Sequence, residues 1–215
     1  MLVIVTVSTP QSRPTIRFAV LAAIGIVLLI ALYTVQPDSP HVAVPNPVYQ
    51  PAEWFLVHFD VTAVLTATTA LAVVSMVRAL PYGIGAILIL GVGATLTAAA
   101  SSSWLGAAPR SLLPSGHVAA ATALYCSAVL IAAPGWRPAV LGLGSVGVCA
   151  VAACTIVTEN SGLFGVIGGA LVALVWACGA AAVMARSPVA AKREELRPDT
   201  AAMAFSRHRS IRPQC

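Results

Sequence analysis

Six stretches of this chain, each 16 to 22 residues long, contain no Asp, Glu, Lys or Arg: Phe18–Val35, Val61–Val77, Ile84–Trp104, Val118–Ala133, Ala139–Val157 and Leu163–Met184. An α-helix rises 1.5 Å per residue, so about 20 apolar residues cross the ~30 Å hydrocarbon core of a bilayer. Lipid gives open backbone N–H and C=O groups no partner, and a helix satisfies them within one segment. Only 9% of the residues are charged against 59% apolar, whereas a water-soluble domain carries about 25% charged residues. The expected fold class is an all-α integral membrane protein, a six-transmembrane-helix bundle. Val118–Ala133 is short for a crossing, so its helix is expected to begin before Val118.

Basic residues set the expected orientation. With the N-terminus in the cytoplasm, Arg13, Arg17, Arg78, Arg137, Arg186, Lys192, Arg193, Arg197, Arg207, Arg209 and Arg212 all fall on the cytoplasmic side, eleven of the twelve in the chain. That is the asymmetry of the positive-inside rule, and an even number of crossings preserves it. The expectation is a multi-pass protein of the cell membrane with both termini cytoplasmic. Residues 1–17 are expected to be a cytoplasmic N-terminal segment, 18–185 the six-helix domain, and 186–215 a basic, disordered cytoplasmic tail against anionic lipid.

The first apolar stretch follows Arg13 and Arg17, as a signal peptide does. No small-residue cleavage site follows it, but Asp38 and several prolines do, so it reads as a retained helix. The segment from Gln36 to Trp54 holds Pro37, Pro40, Pro45, Pro47 and Pro51 and is expected to be a loop outside the bilayer.

The formal net charge of +5 sits in tails and short loops rather than on one soluble face, which speaks against a nucleic-acid partner. Of the five cysteines, four (Cys126, Cys149, Cys154, Cys178) lie inside apolar stretches and none forms a Cys-x-x-Cys pair. Neither a disulfide framework nor a zinc site is expected.

Arg110 is the one basic residue on the expected outer side, where Asp38, His41, Glu53, His58, Asp60, His117 and Glu159 also collect. Directly after it runs Ser111-Leu112-Leu113-Pro114-Ser115-Gly116-His117. Pro114 suits the first turn of a helix. Ser115 and Gly116 would present backbone N–H groups at the positive end of the helix dipole, a ready anion site. Gly116 lets a bulky oxyanion approach the backbone, and His117 can exchange a proton near neutral pH. On local spacing alone, an ordinary capped helix start with an interfacial histidine accounts for the same residues.

Pro114-Ser115-Gly116-His117 at the start of the fourth of six apolar stretches resembles the second signature of the type 2 phosphatidic acid phosphatases. These are lipid phosphate phosphatases that share a helical core with vanadium haloperoxidases. Chain length, helix number, inside termini and a glycine-rich final helix (Gly165, Gly168, Gly169, Ala170) are similar too.

The resemblance implies a site at the outer leaflet for a lipid phosphomonoester or diphosphate. His117 would be the catalytic general acid, Ser115 and Gly116 would bind the phosphate, and Arg110 would stand in for the arginine of the first signature. It implies membrane lipids as partners, a lipid phosphate as ligand, and no metal or other cofactor.

The other signatures are not matched. Placed upstream, the first puts Ser101 at its lysine and Ala108-Pro109 at its Arg-Pro. The third, set by the glycines, puts Cys154 and Thr155 at its Ser-Arg, Ser161 at its nucleophilic histidine and Gly165 at its aspartate. No histidine lies between His117 and His208, so the family's nucleophile is missing in every register. Losing a nucleophile costs several orders of magnitude in rate. The alternative is therefore a non-catalytic protein of the same fold that binds a lipid head group or a partner protein.

His58 and Asp60 are candidates to meet His117 across the bundle as a substitute nucleophile or, with Glu159, as a metal site. An ordinary interfacial set of polar residues is the plainer account. A transporter is a weaker reading, because no intramembrane charge marks a path. The remaining features have structural expectations. Gly165-x-x-x-Gly169 and the glycines of the third stretch permit close helix contact. Trp54, Trp104 and Trp136 anchor interfaces, and Ser101 to Ser103 bond one turn back.

Overall fold

The computed structural model describes residues 12–35, 46–78, 80, 82–104, 113–133, 135–158 and 162–185. These form seven α-helices and no strand: α1 Ser12–Val35, α2 Asn46–His58, α3 Val61–Val77, α4 Gly83–Trp104, α5 Gly116–Ile131, α6 Arg137–Val157 and α7 Leu163–Ala185. Four contain spans long and apolar enough to cross a membrane, at Ile16–Thr34, Gly83–Ser101, Arg137–Val157 and Leu163–Ala185. The pair α2–α3, bent by 54° at its break, passes the same test jointly and is a candidate fifth span. The molecule is a membrane-embedded helical bundle.

Helix α5 is shorter, 16 residues, or about 24 Å at 1.5 Å per residue. It begins at Gly116, two residues before the apolar stretch. Its packing explains how so short a helix is tolerated. It contacts α3, α4, α6 and α7, and Val118, Ala119, Ala120, Ala121, Thr122, Ala123, Ser127 and Ile131 are buried. A helix enclosed by its neighbours meets protein rather than lipid, and its alanines let them approach closely.

The other central element, α7, packs against α1, α4 and α5. One core cluster joins Ala86, Leu90 and Ala94 of α4 to Ala123 of α5 and to Val172, Ala173 and Ala180 of α7. Trp176 locks this layer. Its ring fills the space where a Gly93 Cβ would stand, 2.5 Å from the ring, and its Nε1–H donates to Thr97 Oγ1 at 3.0 Å. At the far end of α3, Arg78 donates from its guanidinium to the Ile131 carbonyl, which satisfies an acceptor left open at the C-terminus of α5.

The structure corrects the loop expected from Gln36 to Trp54. Residues 36–45 lie outside the described residues, but Asn46–His58 is a helix. Pro47 falls in the first turn, where a missing N–H costs nothing. Pro51 is accommodated inside the helix, where it forgoes one intrahelical bond. Tertiary burial supplies the compensation. Ala52 and Leu56, one turn apart, are both buried, and Leu56 joins Val118, Ala121, Val151 and Val166 in a second core cluster.

The expected back-bonds of the serine run hold at Ser101 and Ser103, and the side chain of Ser102 lies outside the described residues. Ser101 Oγ donates to the Ala98 carbonyl and Ser103 Oγ to that of Ala100. Trp54 and Trp136 are exposed, and Cys126, Cys149, Cys154 and Cys178 are unpaired. Of the third-stretch glycines, Gly83 and Gly93 sit against neighbouring side chains, whereas Gly85 and Gly91 face open space. The side chain of Trp104, Cys215 and the tail from Arg186 lie outside the described residues.

Candidate functional site

Pro114 and Ser115 are buried, and the two residues after them, Gly116 and His117, are exposed. Local chemistry and a tertiary seat together produce this division. Ser115 is the N-cap of α5, with φ −67° and ψ 117°, and its Oγ accepts from the Val118 N–H at 3.4 Å. This satisfies one of the donors that a helix start leaves open. Pro114 therefore precedes the cap instead of occupying the first turn.

The seat is the start of α7. A Cβ on Gly169 would lie 2.6 Å from the Ser115 carbonyl oxygen, and one on Gly168 would lie 3.8 Å from Pro114 Cα. Only glycine at 169 admits the loop at this distance. The approach brings Ser115 N–H within 2.9 Å of the Gly165 carbonyl, to which it donates.

Ser115 differs here from the sequence expectation. Its N–H is committed to α7 and its Oγ to Val118, so the open donors of the α5 start are those of Gly116 and His117. Neither donates to a described residue. Two buried hydroxyls, those of Tyr33 and Thr122, have no hydrogen-bond partner among the described residues. Tyr33 Oη lies 3.7 Å from the position of a Gly168 Cβ, on the α1 side of the loop.

Helices α3, α4 and α5 line a groove of about 440 Å³, within the size range of small-ligand sites. Its mouth is formed by Phe59, Asp60, Gly116 and His117, and Ser127 lies deeper along α5. From Gly116 to Ser127 the helix runs about 16 Å.

The walls are more apolar than their residue types suggest. Thr68 Oγ1 donates to the Val64 carbonyl at 2.7 Å and Thr95 Oγ1 to that of Gly91 at 2.8 Å. Each hydroxyl is spent on its own helix. Among the described lining residues, only Asp60 and His117 ionise.

The structure separates the two residues paired in sequence as His58-x-Asp60. His58 Nδ1 is 2.8 Å from the Trp54 carbonyl, and its ring lies 4.1 Å from that of Trp54, so it is turned back along α2. Asp60 instead shares the groove mouth with His117. It holds the N-cap position of α3 but its carboxylate makes no capping bond. Among the described residues, no group of three or more His, Cys, Asp or Glu could hold a metal ion.

Arg110, Ala108, Pro109, Glu159 and Ser161 lie outside the described residues. Of the other positions aligned with the missing signatures, Ser101 and Thr155 spend their hydroxyls on their own helices. Gly165 contributes the carbonyl that holds Ser115. The groove itself had no signal in the sequence beyond the α3 start at Asp60. No family model, curated protein or solved structure matches this chain.

Proposed function

We propose that this chain is a six-crossing protein of the cell membrane, termini in the cytoplasm, that binds a phosphate-bearing lipid at the extracytoplasmic rim. The four long helices α1, α4, α6 and α7, together with α3 and the enclosed α5, make up the six crossings. The distribution of eleven of twelve basic residues supports the orientation. The observation that carries the binding reading is the placement of Gly116 and His117 at the mouth of an apolar groove. Free N–H groups at a helix start attract an anion, the groove offers an acyl chain an apolar lining, and Arg110 stands four residues before Pro114 to pair with the phosphate. This is the arrangement a divergent lipid phosphate phosphatase would keep.

A catalytic reading is favoured by the exposed His117 at that mouth. In it, water adds to phosphorus, the P–O ester bond breaks, and His117 protonates the leaving oxygen. The family's nucleophile is missing, so turnover would be slow. Titrating lysophosphatidic acid into the full chain in detergent micelles, with phosphate release followed in parallel, tests both. Saturable binding is expected, with any phosphate release lost in His117→Ala. No saturable binding of this lipid or of its amine-bearing analogue overturns the proposal, and equal, near-blank phosphate release from both proteins removes the catalytic reading.

A further inference from the structure

The groove mouth has two electrical poles. One is the start of α5, where the N–H groups of Gly116 and His117 have no described acceptor and the helix dipole is positive. The other is Asp60, whose carboxylate caps nothing and meets no described cation. The Asp60 carboxylate lines the same groove as that helix start, so it repels a purely anionic head group bound there. A head group carrying both signs meets both poles.

Resting on the lipid-binding reading above, we propose that the ligand is a zwitterionic, amine-bearing phospholipid. Its phosphate sits on the Gly116 and His117 N–H groups, its ammonium sits on Asp60, and its chain lies in the α3–α4–α5 groove. Asp60 is then the residue that selects among phosphate lipids. The groove walls contribute no further polar discrimination, because Thr68 and Thr95 bond to their own helices.

The test compares two probes with the same oleoyl chain, lysophosphatidylethanolamine and lysophosphatidic acid. Each is titrated into the full chain in maltoside micelles and followed by native mass spectrometry. The amine-bearing lipid is expected to bind at least about tenfold tighter, the size of one hydrogen bond to a charged group. Asp60→Asn, which removes no capping bond, should erase that preference by weakening the amine lipid and strengthening lysophosphatidic acid.

Equal affinities in the wild type, or a preference that survives in Asp60→Asn, would overturn the proposal while leaving phosphate-lipid binding intact. Failure of both probes to bind would instead overturn the binding reading and this proposal with it. Gly91→Leu locates the chain, since a Cβ at 91 meets no atom within 4 Å and the added side chain fills the groove. Both probes should lose affinity there, and undiminished binding would place the lipid elsewhere and refute the assignment.

Discussion

Gly169→Ala sets two effects of opposite sign against each other. Alanine in a helix interior is favoured over glycine by about 1 kcal/mol, so on propensity alone α7 gains. The new Cβ, however, would stand 2.6 Å from the Ser115 carbonyl oxygen and 3.3 Å from the Ser115 and Ala119 nitrogens. Carbon–oxygen contacts are comfortable at about 3.3–3.6 Å, so backbone must move by close to 1 Å. That same carbonyl accepts from Ala119 N–H at 2.9 Å, and the Ser115 N–H reaches Gly165 at 2.9 Å. Displacing the loop strains both bonds.

Overpacking costs about 1–3 kcal/mol and a lost hydrogen bond about 1 kcal/mol more, which outweighs the propensity gain and leaves a net loss of about 2 kcal/mol. Thermal unfolding in detergent should show a midpoint lower by about 4–8 °C. Gly142→Ala in α6 is the control, because its Cβ meets nothing within 4 Å. It should melt at or slightly above the wild-type temperature. If Gly169→Ala matches the control, α7 is not the seat of the loop and the argument from close approach fails.

Three further outcomes are expected. Trp176→Phe keeps a ring over Gly93 but loses the bond to Thr97; it should cost about 0.6–1.5 kcal/mol in denaturant titration, and no loss would mean the bond contributes nothing. Arg78→Ala leaves the Ile131 carbonyl without its donor and should destabilise the bundle by about 1–3 kcal/mol, an effect that Arg78→Lys should partly rescue. With the native cysteines replaced, Arg110→Cys should react with a membrane-impermeant maleimide on intact cells, whereas a lone Cys215 should react only after permeabilisation. Reversed labelling would refute the proposed orientation.

The long elements were legible because bilayer physics writes them as charge-free runs. Helix α3 coincides with its stretch, Val61–Val77, and α4, α6 and α7 agree within two residues at either end. Helix α2 was hidden by its prolines, although Val48, Ala52, Leu56 and Phe59 recur at helical spacing and two of them are buried. At the site, the cap on Ser115 follows from local chemistry. Two facts do not, since both are tertiary. Ser115 N–H is consumed by a carbonyl fifty residues away, and Asp60 rather than His58 reaches the groove. Sequence spacing treats these neighbours alike, and only the 54° bend after α2 tells them apart.

The contact between the α5 loop and α7 fits by omission: the match depends on an atom that residue 169 does not have. Shape complementarity of this kind is unforgiving in one direction only, since a smaller partner does not exist. Any added bulk at 169 has to be answered by retreat of the main chain at 115–119, because the atoms it meets are backbone and swapping a facing side chain cannot make room. A search for coupled variation that compares only side-chain size would therefore miss the bond that sets where His117 stands.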